Sequence, residues 1–309
     1  MSAVQGIGVG ERQLTGGQAP PPAEEGPGRR RSLPYLLLLP GMAWLTIFFI
    51  VPIFTLLSTS TQTRPSGAEI GVYRQTFRVA NYVDTLSEYA TVFGRSFFYA
   101  LVATLVALAI SYPLAYAIAF KAGRWRNVLL VLVVAPFFVS FLLRTIAWKQ
   151  ILADEAWVAD ILRFLNVLGP QGHIINSAPA VVIGITYNFL PFMILPIYAS
   201  LERVDPRLME AAGDLYANGL TTLRKVTVPL SMPGVVAGTL LTFIPAAGDY
   251  VNSALLGNRD TTMVGNVIDA RFLRIVDYPT AAVLSVCLMV SILVLVAAYI
   301  RRAGTEELV

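Results

Sequence analysis

Asp249 is the side chain in this sequence best suited to bind a cation within an apolar stretch. Pro245 and Gly248 come just before it and should loosen a helix, which exposes carbonyl groups that can also coordinate a cation. Tyr250 offers an aromatic face for an alkylammonium group. The competing interpretation is structural: Asp249 caps a broken helix, or it pairs with an arginine such as Arg259. The first interpretation predicts a substrate pathway that includes residues 249 and 250.

Tyr187 and Asn188 form a second pair of polar side chains inside an apolar run. They lie midway along residues 178–201 and are further candidates for the same pathway, with helix packing as the competing role. Asn252 and Ser253 add polar groups close to Asp249. A carboxylate at mid-membrane costs about 2.5–3.5 kcal/mol on insertion scales, so it normally faces a partner, water or a substrate.

Catalytic chemistry finds little support in the sequence. A phosphate-binding loop needs Gly-x-x-x-x-Gly-Lys followed by Ser or Thr. Ala, Gln and Val follow the three lysines, Lys121, Lys149 and Lys225, so none fits. The single histidine, His173, has no second histidine with which to share a metal and is expected to be a loop residue. We therefore expect no enzyme activity, no metal and no cofactor in this chain.

Composition predicts a membrane protein. Apolar residues make up 56% of the chain and charged residues 14%, with a mean hydropathy of +0.65, whereas soluble domains average roughly 45–50% and about 25%. A helix needs about 20 apolar residues to cross the hydrocarbon core. We predict an all-α membrane protein with six transmembrane helices: Leu33–Leu57, Ser96–Phe120, Asn127–Ile151, Ala178–Leu201, Pro233–Leu256 and Ala281–Ile300.

Basic residues indicate the orientation, because short cytoplasmic loops are rich in Lys and Arg. Residues 29–31, 121–126 and 301–302 carry such residues and fall on one side of six crossings, together with the loop at 202–232. Both termini are predicted to be cytoplasmic. The net charge is only +4, and the basic residues lie between apolar spans rather than in a patch, so nucleic-acid binding is not expected.

Three segments are expected along the chain. Residues 1–31 are rich in Gly, Pro and polar groups and are predicted to be a disordered cytoplasmic tail. Residues 32–302 form the membrane domain, and residues 303–309 form a C-terminal tail. The first apolar run is too long for the apolar region of a cleavable signal peptide and is interpreted as a membrane anchor.

The loop at about 202–232 is predicted to form a helix-turn-helix. Asp205 can cap a helix that begins at Pro206 and ends near Leu215. Its apolar side is formed by Leu208, Ala211, Ala212 and Leu215. Asn218-Gly219 is a turn signal, and Pro229 is expected to end a second short amphipathic helix. A cytoplasmic hairpin that is polar on one face and small on the other suits docking into another protein.

This loop resembles the EAA motif of the permease subunits of binding-protein-dependent ABC importers. The matching residues are Glu210, Ala211, Ala212, Asp214, Leu215, Ala217, Val226, Pro229 and Leu230. The family usually has Gly where this chain has Tyr216, so the helix break is expected to move to Asn218-Gly219. The resemblance implies that the segment from Glu210 to Leu215 couples to an ATPase. Glu210 would meet polar groups there, and Ala211 and Ala212 would permit close approach.

The resemblance extends over roughly residues 33–300. Further matching segments are Ser96–Ala119, Leu190–Met193, Ile244–Tyr250, Leu255–Gly257 and Gly265–Ile268. The last three are similar to the spermidine/putrescine branch of these permeases. The resemblance implies a type I ABC importer permease fold in the bacterial cytoplasmic membrane. It also implies a second permease subunit, two ATPase subunits that bind ATP and Mg, an extracytoplasmic substrate-binding protein, and surrounding lipid.

Several alternatives stay open. Iron, sulfate or sugars are other cargoes of such permeases, but an anion should want basic residues in the pathway. The predicted spans offer none near their middles, which favours a cation. A stand-alone ion-coupled transporter would be expected to show internal repeats or several intramembrane charges, and neither is evident. A membrane scaffold would leave the docking loop without a purpose.

Overall fold

The computed structural model describes residues 33–166, 168–169 and 172–303. Its helices are α1 Leu33–Leu45, α2 Val51–Ser60, α3 Ala80–Tyr116, α4 Arg126–Val134, α5 Phe141–Ile151, α6 Trp157–Phe164, α7 Ala178–Glu202, α8 Pro206–Asp214, α9 Gly219–Thr222, α10 Val228–Ala247, α11 Val251–Leu256, α12 Val264–Asp269 and α13 Tyr278–Ala303. Strands β1 Gln62–Thr63 and β2 Arg74–Gln75 pair antiparallel, with Gln62 opposite Gln75. The predicted tails at 1–31 and 303–309 lie, apart from Ala303, outside the described residues.

The chain divides into two compact units, residues 1–52 and residues 53–309. In the first unit the described residues are helical: α1 continues through a wide π turn at Thr46–Ile50. The Thr46 hydroxyl donates to Met42 O at 2.8 Å, and the rings of Trp44 and Phe48 lie 4.1 Å apart. This segment is apolar on all sides, as a helix in lipid should be.

Five helical stretches of the described residues are long and apolar enough to cross a membrane: Leu38–Ser60, Ala80–Lys121, Ala178–Glu202, Gly219–Ala247 and Tyr278–Arg301. A bent pair of helices, Gly123–Phe138 and Phe141–Ile151, makes a sixth if it is taken as one span. The predicted all-α membrane class is confirmed, and the predicted six crossings correspond to these five helices and the bent pair.

The third predicted span, Asn127–Ile151, is not one straight helix. Its two halves meet at 97°, because Val139 and Ser140 take extended backbone angles after a tight turn at Ala135–Phe138. Pro136 opens that turn and cannot donate a main-chain hydrogen bond. The bend directs α5 away from the axis of α4.

The fifth predicted span, Pro233–Leu256, has different ends in the structure. The helix already begins at Gly219 and ends at Ala247. The expectation that Pro229 ends a separate helix is therefore wrong. A wide π turn at Leu223–Thr227 directly before it makes room for the proline ring, which would clash in a regular α-helical turn.

Helix α7 is the centre of the second unit and packs against both α3 and α10. A methyl group at Gly234 would lie 2.5 Å from Pro196 O, so α10 approaches α7 closely only because residue 234 has no side chain. Buried apolar residues lie on both sides of Asn188, with Ile185 toward the start of α7 and Met193 toward its end. Asn188 thus stands between two apolar clusters.

The two faces of this bundle differ. One face, here called the loop face, carries α8 and α9 between the end of α7 and the start of α10. At the opposite face, Arg271 contacts Tyr89 and forms ion pairs with Glu88 at 3.3 Å and with Asp277 at 3.2 Å. These contacts connect the start of α3 with the segment between α12 and α13.

Candidate functional site

Asp249 lies in a break between two helices. Helix α10 ends at Ala247 and α11 begins at Val251. Asp249 Oδ1 accepts a hydrogen bond from the main-chain N–H of Asn252 at 3.0 Å, and Oδ2 accepts one from the Asn252 side chain. The residue is 6% exposed. The carboxylate therefore caps α11, which was one of the two structural roles considered from the sequence.

The cap belongs to a larger buried network. Asn188 on α7 donates through Nδ2 to Asn252 Oδ1 at 3.0 Å and to Thr145 Oγ1 on α5 at 3.1 Å. Thr145 Oγ1 in turn lies 3.3 Å from Asn252 Oδ1 and 3.1 Å from Phe141 O, either of which can take its proton. Three helices, α5, α7 and α11, meet at these side chains.

One acceptor in the network is unused. Asn188 Oδ1 is buried and has no hydrogen-bond partner among the described residues. Leaving a buried acceptor unpaired costs about 1–3 kcal/mol, so it calls for a donor. Asn188 lies ten positions beyond Ala178, or about 15 Å along the axis at 1.5 Å per residue. The network thus contains a carboxylate and an unpaired amide oxygen inside the membrane-spanning region.

The structure brings together only part of the predicted pathway. Asp249 and Asn188 are connected through Asn252, but Tyr187 points elsewhere: its ring packs edge-to-face on Trp148 with centroids 5.1 Å apart. Both rings line an apolar cavity of about 600 Å³ between α3 and α7. Tyr250 is half-exposed beside Asp249. The alternative ion pair of Asp249 with Arg259 is absent from the described residues.

The sequence analysis missed two residues of this region. The role of Thr145 could not be predicted, because its partner Asn188 lies on α7 and the two side chains meet only because the backbone bends before α5. Arg144, the residue before it, is 9% exposed, and its guanidinium carbon lies 5.7 Å from the ring centres of Phe137 and Phe141. The expectation that the spans offer no basic residue near their middles is therefore wrong, since the bend carries α5 inward to the level of Asn188.

Helix α12 packs against the helix break at residues 248–250. Asn266 Nδ2 donates to Tyr250 O at 2.7 Å. A methyl group at Gly265 would lie 2.4 Å from Gly248 O and 3.1 Å from Tyr250 Cβ. The contact is with main chain rather than with a flexible side chain, so the backbone around Asp249 depends on a glycine at position 265.

We expect Gly265→Ala to lower both the thermal stability of the purified protein and its transport rate. The added methyl group must push the Gly248 carbonyl away, and overpacking of this kind typically costs about 1–3 kcal/mol. Gly94→Ala is the matched control: no atom lies within 4 Å of the added group, and Ala favours a helix over Gly. Equal melting temperatures for the two variants would contradict the tight contact.

The loop face carries the predicted coupling residues in the expected helix. Asp205 accepts from the Arg207 main-chain N–H at 2.9 Å and caps α8, as predicted. Glu210 is exposed and forms no hydrogen bond or ion pair among the described residues. Exposed neighbours on the same segment are Leu208, Ala211, Gly213, Asp214 and Leu215, whereas Ala212 is half-buried. An exposed leucine such as Leu215, 82% accessible, suits contact with another protein.

The helix break stays at Tyr216, contrary to the expected move to Asn218-Gly219. Tyr216 has φ of +59°, and its N–H bonds to Gly213 O at 2.9 Å while that of Ala217 bonds to Ala212 O at 3.0 Å. This pair of bonds defines a Schellman C-cap, whose left-handed residue is usually Gly. Asn218 instead caps α9 by accepting from Thr221 N at 2.8 Å.

We expect Tyr216→Gly to raise the melting temperature of the purified protein by a few degrees. A side chain in the left-handed region costs roughly 1–2 kcal/mol, and glycine removes that cost. The tyrosine ring makes no compensating contact with the residues that the structure describes, since Tyr216 is 99% exposed. Tyr216→Ala is the control, because it removes the ring and keeps the strain. A gain for Ala equal to that for Gly would refute the backbone explanation.

The base of this loop is fastened to α4. Arg126, at the start of α4, donates to the Tyr198 hydroxyl and forms an ion pair with Glu202. Its guanidinium carbon also lies 5.1 Å from the centre of the Tyr198 ring. Since Glu202 is the last residue of α7, Arg126 connects the end of α7, where the loop begins, to the bent pair of helices.

Comparisons with known proteins identify the family and the fold of the chain. The model of a family described as binding-protein-dependent transport system inner membrane component matches residues 76–303. The chain is 35% identical over 263 residues to the spermidine/putrescine transport system permease protein PotB of Escherichia coli (strain K12), covering 85% of this chain and 94% of that protein. The PotB of Haemophilus influenzae is 35% identical over 260 residues, covering 84% and 90%.

Solved structures resemble the fold at lower sequence identity. A bacterial ABC transporter involved in the import of the acidic polysaccharide alginate aligns with a TM-score of 0.68 and 16% identity, over 88% of this chain and 94% of that one. Its complex with a periplasmic protein bound to an alginate pentasaccharide gives a TM-score of 0.70, also at 16% identity, over 89% and 95%. At such identity the likeness concerns the fold alone.

Proposed function

This chain belongs to the family of binding-protein-dependent transport system inner membrane components, and from that premise we propose that it forms half of the translocation pathway of an importer for polyamines. It is a transport subunit and not an enzyme. The observation that carries the choice of cargo is the buried Asp249 carboxylate, which is connected through Asn252 to the Asn188 side-chain amide, whose nitrogen donates to Asn252 and whose buried oxygen has no partner among the described residues.

The chemistry of the network fits an organic cation. A protonated amine is a donor of several hydrogen bonds and carries the charge that a buried carboxylate needs. Asn188 Oδ1 supplies a second acceptor in the same network. The half-exposed ring of Tyr250 adds an aromatic face for a methylene or ammonium group. The 35% identity to spermidine/putrescine permeases supports the same class of cargo.

Tyr187 has a separate place in this proposal. It lies against Trp148 and lines the apolar cavity rather than the polar network. The methylene chain of a polyamine suits such a wall, while its amines suit residues 188 and 249. We assign Tyr187 to the pathway for this reason, as a residue that contacts the apolar part of the cargo.

The energy source lies outside the chain. No lysine of the sequence stands in a phosphate-binding loop, so ATP and Mg are bound by two partner ATPase subunits. The exposed segment from Glu210 to Leu215 docks on them. A second permease subunit completes the pathway, and an extracytoplasmic protein delivers the cargo. The loop face is then cytoplasmic, as are both termini, and the protein lies in the bacterial inner membrane.

Other cargoes and a self-sufficient transporter make different predictions. The full complex, purified with its cognate binding protein and reconstituted in vesicles, should hydrolyse ATP faster with spermidine or putrescine than with sulfate, ferric iron or a sugar. Stimulation by one of the latter would replace the polyamine. Uptake by this chain alone in vesicles, without ATP or an ATPase, would instead establish a stand-alone transporter.

A further inference from the structure

Arg144 is a buried cation for which the described chain provides no counter-charge. Its Nε and Nη1 atoms are enclosed and have no hydrogen-bond partner, and none of the ion pairs among the described residues includes it. An arginine inside a membrane is costly and normally pairs with another group. Leaving one buried charge uncompensated destabilises a protein strongly.

No group among the described residues neutralises the charge of Arg144. Phe137 and Phe141 place aromatic rings at 5.7 Å, which stabilises a cation but satisfies none of its N–H donors. Both oxygens of Asp249 are bound by Asn252. Arg144 Nη2 is not among the enclosed atoms, so the guanidinium retains one opening to the surface of this subunit. A group from outside the chain can reach it there.

The surface at the bend, next to Arg144 in the chain, is unusual for contact with lipid. The bend patch, defined as Phe138, Val139, Ser140, Leu142 and Leu143, is exposed, with Phe138 at 88%. Val139 and Ser140 have extended backbone. Non-helical backbone at membrane depth is tolerated where protein buries it or where it lines a water-filled cavity, not where lipid surrounds it. The bend patch therefore needs a cover that is not lipid.

The depth of Arg144 in the membrane limits which anion can pair with it. Thr145, the next residue, bonds to Asn188 at 3.1 Å, and Asn188 lies about 15 Å along α7 from the first residue of that helix, Ala178. Lipid phosphates lie at the bilayer surface and not at that depth. The proposed cargo is a cation and would be repelled by Arg144. A carboxylate on another membrane subunit meets every requirement.

We propose that the bend patch is an interface with the second permease subunit and that a carboxylate of that subunit pairs with Arg144 Nη2. The inference rests on the proposed function in two respects, the existence of the second permease subunit and the positive charge of the cargo. The ion pair and the cover over the extended backbone are both absent until the two subunits meet. Assembly thus neutralises Arg144 beside the substrate network.

The test compares this full-length chain alone with its complex with the cognate second permease subunit, both in detergent. Arg144→Met removes the charge while conserving much of the volume. We expect the dissociation constant of the two subunits to rise about tenfold, which corresponds to about 1.4 kcal/mol, and we expect a lower melting temperature for the complex. The isolated chain should melt at the same temperature or higher, because an unpaired buried charge has been replaced by an apolar group.

Two controls and four contrary outcomes test the proposal. Arg144→Lys should keep most of the assembly, and Lys149→Met, which removes an exposed cation from the same helix, should keep all of it.

Arg144→Met lowering the stability of the isolated chain as much as that of the complex would show a role within the chain. Stability of the isolated chain that depends on Arg144 only in vesicles containing anionic lipid would identify a lipid phosphate instead. Unchanged assembly would also overturn the proposal, as would a native chain that fails to recover the second subunit.

These measurements use no cargo. An importer that ignores polyamines but shows the expected loss of assembly would refute the cargo and leave the interface standing. Polyamine-stimulated ATP hydrolysis together with unchanged assembly of Arg144→Met would support the cargo and refute the interface.

Discussion

Glu210→Arg should abolish cargo-stimulated ATP hydrolysis and transport by the assembled importer. Glu210 is exposed on α8 and engages no group of the described chain, so its carboxylate is available to a partner. Complementary charges steer and align such surfaces, and placing a charge against one of the same sign costs several kcal/mol. We expect a decrease of at least about a hundredfold in transport, which corresponds to about 2.7 kcal/mol.

The substitution should leave the subunit itself intact, since no contact within the described chain is lost. Glu210→Gln, which keeps the shape and removes the charge, should give an intermediate loss. Glu155→Arg is the matched control, because Glu155 is another exposed carboxylate that lies at the opposite face. Transport and ATP hydrolysis are measured in vesicles with the cognate binding protein, and full activity of Glu210→Arg would remove the coupling role from this residue.

Asp249→Asn should lower polyamine transport by about tenfold or more while leaving the fold intact. Asn is as good an N-cap as Asp, so the bond from the Asn252 main-chain N–H, which starts α11, can persist. The amide nitrogen that replaces Oδ2 cannot accept from Asn252 Nδ2, so this side-chain bond disappears together with the negative charge. One charge-assisted hydrogen bond contributes roughly 1.5–3 kcal/mol. The substitution therefore separates the capping role, which the structure establishes, from the proposed contact with the cargo.

The measurement is the initial rate of uptake as a function of spermidine concentration, together with the melting temperature. Asp260→Asn is the control, because Asp260 is an exposed carboxylate eleven positions further along the chain. Asp249→Ala should lose stability as well as transport, since alanine cannot cap. If Asp249→Asn transports normally and Asp249→Ala fails only through instability, Asp249 is a helix cap and nothing more.

The helical class and the docking loop were accessible from sequence because their signals are local. Runs of apolar residues and the cap at Asp205 depend on neighbours a few positions away. Asp249 was accessible for the same reason, as a lone charge next to Pro245 and Gly248. The helix break near Asp249 was expected, and only the ends of the helix differ.

The interior of the site was not accessible, because it depends on a bend. Thr145 meets Asn188 only after the backbone turns by 97° at Val139 and Ser140, and hydropathy alone reads residues 127–151 as one span. The same turn buries Arg144, which a straight helix would place near the membrane surface. Tyr216 was misjudged for another reason: the Schellman bonds of α8 hold it in the left-handed region despite its side chain.

The close approach of α10 to α7 has a mechanical consequence. The two helices flank the docking loop, and at Gly234 their backbones are too near for even a methyl group. Because the two helices are so closely packed, we do not expect movement of the loop to separate them. We expect α7 and α10 to move together as one rigid body. The change in backbone conformation should then occur at the two places where helices are interrupted, residues 139–140 and 248–250. Those interruptions would be the hinges of the alternating-access cycle, and Asp249, the carboxylate that we propose contacts the cargo, lies inside one of them.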